Sequence, residues 1–242
     1  MKTVLIIIIF LFSNKSLADF NLTVEAGASW QTRNDVRIPN DSNGDRFDFS
    51  EFSEGPFIHH RFESLVNLVG RHNLRVVYAP LSLTVRGELD QNINFDGVSF
   101  NGGDDVLVNY QFNSYRLGYV YKWINRSKHK LNVGVTLKVR DADIRVSQQS
   151  TSSNYDNLGL VPLLYFSYSY NITEDWCLFT DADFAAASQG RAFDVALKVR
   201  KKLNDHYSLG LGYRVLEGGA DNDEVFTFSL FHYAVLDLAL SF

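Results

Sequence analysis

The stretch 234–242 constrains this chain more than any other. It reads Ala234-Val235-Leu236-Asp237-Leu238-Ala239-Leu240-Ser241-Phe242, with an apolar side chain at every even position. A period of two puts the even set on one face of a strand and Val235, Asp237, Ala239 and Ser241 on the other. A strand that is apolar on one face and carries an aspartate on the other suits a closed barrel in lipid with a polar interior.

The beginning of the chain agrees. Met1-Lys2 is a short basic segment, 4–12 is an unbroken apolar run, and Ser16-Leu17-Ala18 is a small-x-small cleavage site. The run is too short to span a bilayer as a helix, so 1–18 reads as a secretory signal and 19–242 as one barrel domain. No later segment offers eighteen consecutive apolar residues, which excludes helical spans. Mean hydropathy near zero (−0.13) fits strands that alternate. Without Lys2 and Lys15 the chain keeps 21 of its 23 basic residues against 28 acidic ones, which argues against nucleic acid as a partner. Cys177 is the only cysteine, so no internal disulfide can form.

Alternation and turn residues predict an all-β, antiparallel up-and-down transmembrane barrel of about ten strands, with eight as the other count. The expected strands are 20–32, 56–69, 73–86, 107–123, 130–145, 157–170, 176–186, 192–203, 207–217 and 225–242. Tight turns are expected at 70–73, 124–129, 172–175 and 204–206. Longer connections are expected at 33–55, 87–106 and 146–156, with two short ones at 187–191 and 218–224. The short-turn side should be periplasmic. Trp123, Tyr170, Trp176, Tyr207 and Phe242 lie at strand ends on that side, where a lower aromatic girdle belongs. Trp30, Phe57, Phe184, Phe193 and Phe226 would form the upper one.

Assigning faces by alternation turns Leu131, Val133, Val135, Leu137 and Val139 to lipid. It does the same for Phe193, Val195, Leu197 and Val199, and for Tyr207, Leu209, Leu211, Tyr213 and Val215. The inward set is Glu25, Arg61, Glu63, Arg75, Arg116, Lys138, Arg140, Asp181, Asp183, Asp194, Lys198, Arg200, Arg214 and Asp237, eight basic and six acidic. Inward Gly134, Gly210 and Gly212 should leave room for the long cations. Interleaved signs point to ion-pair ladders that fill a narrow lumen, rather than to the one-sign ring of a selective pore. Arg61 and Asp181 are expected to pair across it.

Phe242 at the end of its strand resembles the C-terminal signature of bacterial outer-membrane barrels. The stretches 181–194 and 217–225, and Phe231-His232-Tyr233-Ala234, resemble blocks in a group of small outer-membrane barrel proteins to which no reaction is assigned. The resemblance implies an integral, multi-pass protein of the Gram-negative outer membrane. The expected surroundings are outer-membrane lipid, lipopolysaccharide and the barrel-assembly machinery. A monomer without cofactor or metal is expected.

The expected role is structural, or the binding or passage of small solutes, through Arg61, Glu63, Arg75, Arg116, Lys138, Arg140, Asp181, Asp183, Asp194, Lys198, Arg200 and Arg214, and not enzymatic. The alternative is a membrane-embedded hydrolase, either omptin-like or lipid-modifying, with a site at the extracellular mouth. Asp181-x-Asp183 would face His59, Arg61 and Glu63 there. The chain departs from omptin proteases in having no Asp-x-His pair. His59 and Ser64 fall on opposite strand faces, so neither can activate the other. Asp41-x-Asn43-x-Asp45 and 221–224 are acidic loop clusters, the first lacking the glycine and glutamate positions of a calcium loop. His72, His129 and His206 read as solvated turn residues.

Overall fold

The computed structural model describes residues 19–242, so the expected signal segment 1–18 lies outside the described residues. Those residues contain no helix. They form β1 (Phe20–Arg37), β2 (Phe47–Asp48), β3 (Phe57–Val69), β4 (His72–Ala79), β5 (Ser82–Glu88), β6 (Ile93–Phe95), β7 (Val98–Phe100), β8 (Asp105–Asn125), β9 (His129–Gln148), β10 (Thr151–Asn171), β11 (Trp176–Ala187), β12 (Gly190–Lys202), β13 (Tyr207–Asp221) and β14 (Phe226–Ser241). The wall strands β1, β3, β4 and β8 to β14 pair antiparallel in sequence order, and β14 returns to β1 from Asn21↔Ser241 to Arg37↔Phe226. The β4 and β5 segments keep one register against β8 (Ala79↔Ser114, Ser82↔Gln111) and make a single wall. The barrel therefore closes with ten strands, and the count of eight is set aside.

The stagger can be followed through one row of paired residues. It runs Leu160, Val139, Tyr115, Tyr78, Phe62, Val24, Leu238, Leu209, Lys201, Trp176. It re-enters β10 at Ile172, whose amide bonds Trp176 O at 2.8 Å. A row that starts at Leu160 and returns at Ile172 has slipped by twelve residues. Such a slip tilts the strands by roughly 40°. Phe62 stands midway between the turn end, which carries Trp176 and Phe242, and the opposite loop end.

Faces fall as the alternation predicts. Leu137, Leu197, Leu211 and Leu236 are exposed on the outside, and Lys138, Lys198, Arg214 and Asp237 are buried inside. Trp123, Trp176, Tyr207 and Phe242 are exposed at the turn end. Gly210 makes room as expected: a Cβ there would meet the Asp237 carboxylate and Arg200 Cγ at 2.8 Å. Gly212 and Gly134 have a different first reason, since a Cβ would strike the backbone carbonyl of Leu197 or of Tyr119.

The loop end differs from the sequence reading. Residues 146–156 are not a loop; β9 and β10 continue to Gln148 and Thr151 and turn over Gln149, whose φ is 51°. The alternation also changes phase along these strands. On β8 the apolar outward set Tyr115, Leu117, Tyr119 gives way above Ser114 to an apolar inward set, Val106, Val108 and Tyr110. On β9 the outward Val135, Leu137 and Val139 are followed outwardly by Asp141, Asp143 and Arg145, while Ile144 and Val146 become the buried positions. Strand geometry is unchanged; the outer solvent switches from lipid to water, so the apolar side chains move inward.

That inward set is one cluster, and it closes the loop end. It joins Val36, Ile38, Phe49, Leu83, Val85, Leu89, Ile93, Phe95, Phe100, Tyr110, Phe231 and Tyr233, among others. The connection 87–106, expected as an open loop, contributes the β6–β7 hairpin with Phe95 and Phe100 fully buried. Its Asp96-Gly97 turn has φ of 49° and 77°, the positive pair a two-residue hairpin requires. Gln148 latches it, accepting from Asn101 N and donating to Asn101 O, both at 2.8 Å.

Candidate functional site

Below this cap, at mid-barrel, the inward charges meet. Two carboxylates act as hubs. Asp194 on β12 accepts from Arg61 (2.9 Å), Arg116 (2.6 Å) and Arg214 (2.5 Å). Asp183 on β11 accepts from Arg75 (3.0 Å), Arg116 (2.6 Å) and Thr136 (3.0 Å). Arg75 also reaches Glu63 at 3.0 Å and lies over the Tyr165 ring at 3.9 Å. A second layer lies alongside. Glu25 receives Arg214 at 2.9 Å, the ring of His59 at 2.9 Å, and the Lys198 ammonium. Asp237 receives Lys198 and Arg200, both at 2.8 Å, and Arg200 covers Phe179 at 3.9 Å. Arg214 links the layers and holds Asp181 at 3.2 Å.

Burial this complete is costly for each ion, so every carboxylate needs several charge-assisted partners. Five of the six acids have two or more cationic partners, and Asp181 has Arg214 alone, through two hydrogen bonds. Ten of the twelve site residues read from sequence are in this network, joined by Glu25 and Asp237. Lys138 and Arg140 are not, and they account for the excess of two cations in the eight-to-six inventory. Lys138 is buried with its ammonium 4.5 Å from the Phe112 ring centroid and no carboxylate within 4 Å; Arg140 bonds Asn157, and its Nε is buried without a partner. The expected Arg61–Asp181 pair does not form. Arg61 goes to Asp194, with Glu63 at 3.5 Å and Asp183 at 3.9 Å, while Asp181 goes to Arg214. The strand-opposition argument missed the wall by one strand: the short contact of Arg61 is to Asp194 on β12, and on β11, the expected wall, it comes only within 3.9 Å of Asp183. Thr136 and Tyr165 were missed altogether; their inward parity was the available signal.

On the turn side of the network lies a cavity of about 580 Å³. Arg61, Glu63, Tyr165 and Asp181 form its floor, Asn132, Ser167, Ser169 and Cys177 line its wall, and Lys130 and Lys202 stand at its rim. On the loop side the space between network and cap falls to about 20 Å³ beside His59, Leu81 and Tyr233, room for about one water molecule. The interior is thus a blind vestibule that opens at the turn end.

The other sequence candidates take structural places. His59, held by Glu25 and packed against Tyr233 at 4.5 Å, has no hydrogen bond to a serine, threonine or cysteine side chain. Asp41 accepts from Asn43 N at 2.7 Å and folds its own loop, and Asp45 accepts from Asn94 N at 2.8 Å and ties that loop to the β6–β7 hairpin. Among the described residues no three His, Cys, Asp or Glu side chains stand where they could share a metal ion. The turn histidines are more engaged than expected: His72 bonds the Tyr119 hydroxyl at 2.6 Å, and His129 that of Tyr168 at 2.7 Å.

A family profile described as "Protein of unknown function, DUF481" matches residues 101–230, more than half of the chain. The chain belongs to that family. No curated protein matches the sequence. Among solved structures, the chain is similar to the outer membrane protease OmpT from Escherichia coli, with a TM-score of 0.61 and 9% identity over 93% of this chain and 97% of that one. It also matches Ail, the attachment invasion locus protein of Yersinia pestis, with a TM-score of 0.43 and 7% identity over 94% of this chain and 100% of that one. Neisserial surface protein A matches at 0.39 and 11%, over 92% and 97%. OmpT is an outer-membrane protein, and the closed ten-strand antiparallel barrel with its apolar outer face matches it in fold: this DUF481 member is a multi-pass β-barrel of the outer membrane. At 9% identity the likeness to OmpT extends to the fold alone.

Proposed function

We propose that this DUF481 member is a closed barrel that does not pass solutes, and that it presents a blind polar vestibule to the periplasm for a small polar solute to occupy. The observation that carries the reading is the double closure. The cap fills the loop end with apolar side chains, and the arginine–carboxylate network fills mid-barrel. A hydrated ion would have to displace both. The orientation, with turns in the periplasm, rests on the short connections and the aromatic girdle at that end. The role is non-catalytic, because the interior histidine is spent on Glu25 and Tyr233 and activates no nucleophile. Single-channel recording in planar bilayers tests this. The purified barrel should give no discrete steps in 1 M KCl; regular steps would overturn the closed reading. Turnover of a peptide or lipid that is lost on changing Asp183 or His59 would overturn the non-catalytic one.

A further inference from the structure

The outer face turns from apolar to charged above Val139, and the charges there are unevenly spread. One sector stands apart, at the loop end of β12, β13, β14 and β1, where cross-strand partners form two adjacent rows. The lower row is Phe193, Glu217, Leu230 and Arg33, and the upper row is Arg191, Gly219, Phe228 and Asp35. Leu230 and Phe228 continue the outward parity of Leu236, so both rows face away from the lumen.

Arg33 and Arg191 converge on Glu217, at 2.7 and 2.8 Å, and both guanidinium groups lie against Phe228, at 5.7 and 4.8 Å from the ring centroid. Arg46 bonds Asp35 at 2.6 Å and covers Phe226 at 4.5 Å, and the two ring centroids are 5.2 Å apart. Three arginines thus share two carboxylates, and one positive charge is in excess. A ring beneath and a carboxylate at one edge hold each fork in place. The side chains of Arg46 and Arg191 are still 57% and 45% exposed, and Arg33 Nε has no partner. On the opposite wall the same zone carries Asp141, Asp143 and Asp156 against Arg145.

The sector stands where hydrocarbon ends. The slip of twelve residues around the barrel lowers a row by a little more than one residue per strand. From Val139 on β9 to its row partner Leu238 on β14 the descent is about six residues, so β14 reaches the level of Val139 at His232. That residue suits a boundary: it faces outward, and its ring nitrogens are taken by the Thr32 hydroxyl at 3.0 Å and by the Tyr213 hydroxyl. Its neighbours in the row, Val215 and Trp30, stay with the lipid. The arginine rows lie immediately above. A lipid whose chains lie along Val195, Val215 and Trp30 brings its headgroup to Arg33 and Arg191. Arginine forks match the oxygens of a phosphate, and phosphate is the anion that lipids carry at that depth.

We infer that this sector holds the phosphate of an anionic lipid of the loop-side leaflet, with Arg33 and Arg191 as its donors and Arg46 beside them. The acyl chains need no cavity, since they lie along the wall. With the turns in the periplasm that leaflet is the outer one, and the lipid is the phosphorylated lipid A of lipopolysaccharide. The site is on the outside of the barrel and shares no residue with the vestibule, so neither reading depends on the other.

Native mass spectrometry of the barrel in an uncharged detergent, titrated with bisphosphorylated lipid A, tests this without regard to orientation. The parent should hold lipid A about tenfold more tightly than the same lipid with its phosphates removed, the gain from one charge-assisted contact. Inorganic phosphate in the same concentration range should not displace it. Arg33→Gln with Arg191→Gln should erase the preference, and Arg145→Gln on the opposite wall should keep it. Heat-modifiable migration checks folding; if the double variant does not fold, adding Glu217→Gln leaves no carboxylate stranded. Equal binding of the two lipids would overturn the inference, as would a preference that survives loss of both arginines or is lost equally in Arg145→Gln. Displacement by inorganic phosphate would also overturn it, by marking a site for a free anion.

Discussion

Asp194→Ala is the most informative single change in the barrel. The carboxylate accepts from three arginines on three other strands, Arg61 on β3, Arg116 on β8 and Arg214 on β13. Removal of one partner from a buried ion pair costs about 3–5 kcal/mol, because the other charge is left uncompensated. Here each arginine keeps a second acceptor: Arg116 keeps Asp183 at 2.6 Å, Arg214 keeps Glu25 at 2.9 Å, and Arg61 keeps only Glu63 at 3.5 Å and Asp183 at 3.9 Å. The loss should therefore fall near the lower figure, about 3 kcal/mol, and centre on Arg61. Asp194→Asn keeps the shape and one acceptor and should lose about 1–2 kcal/mol. Arg61→Ala added to Asp194→Ala should recover part of the loss, giving a coupling of about 1–3 kcal/mol. Urea titration of the reconstituted barrel, followed by tryptophan emission and by heat-modifiable migration, measures these three variants and Arg61→Ala alone. Coupling between these neighbours smaller than about 0.5 kcal/mol would refute the hub assignment. So would a loss that disappears in 1 M salt, since screening reaches exposed pairs and not buried ones.

Lys138→Met should be neutral or stabilising by about 1–2 kcal/mol in the same titration, because it removes a buried cation that has no carboxylate partner and keeps the volume. Asp181→Ala with Arg61→Ala should simply add, whereas Asp181→Ala with Arg214→Ala should not, which a double-mutant cycle resolves. Gln148→Ala cuts both bonds of the latch on Asn101 and should expose the β6–β7 hairpin to protease near Asn101, where the parent barrel resists; equal cleavage of both would count against the latch. Cys177 should react with a small maleimide supplied at the turn end of the barrel and stay unmodified when the reagent is supplied only at the loop end, as mass spectrometry of oriented vesicles would register.

Strand number and facing were legible in the sequence because a membrane barrel leaves the alternation no freedom. A charge turned to lipid at mid-bilayer costs about 2–4 kcal/mol, so Lys138, Lys198, Arg214 and Asp237 could only point inward. The cap was not legible from that rule, because the rule assumes lipid outside. Val106, Val108, Ile144 and Val146 break it by a change of phase, and the change was visible had the alternation been followed strand by strand beyond Ser114 and Val139. Partner choice inside the network was beyond strand parity. Parity names the face, but whether Arg61 meets Asp181 or Asp183 on β11, or Asp194 on β12, depends on side-chain reach across the lumen between neighbouring walls.

The change of phase on β8 and β9 also acts as a depth gauge. Along the outside of β9, Val139 is followed by Asp141, Asp143 and Arg145. A slide of the barrel toward its turn end by the length of two or four residues would carry one or two of these charges into hydrocarbon. A shift the other way would lift Leu137 and Val139 into water. Both directions are uphill, by a few kcal/mol within one turn of the pleat. The protein therefore sets its own vertical position in the bilayer, and a thinner or thicker membrane must deform to meet it.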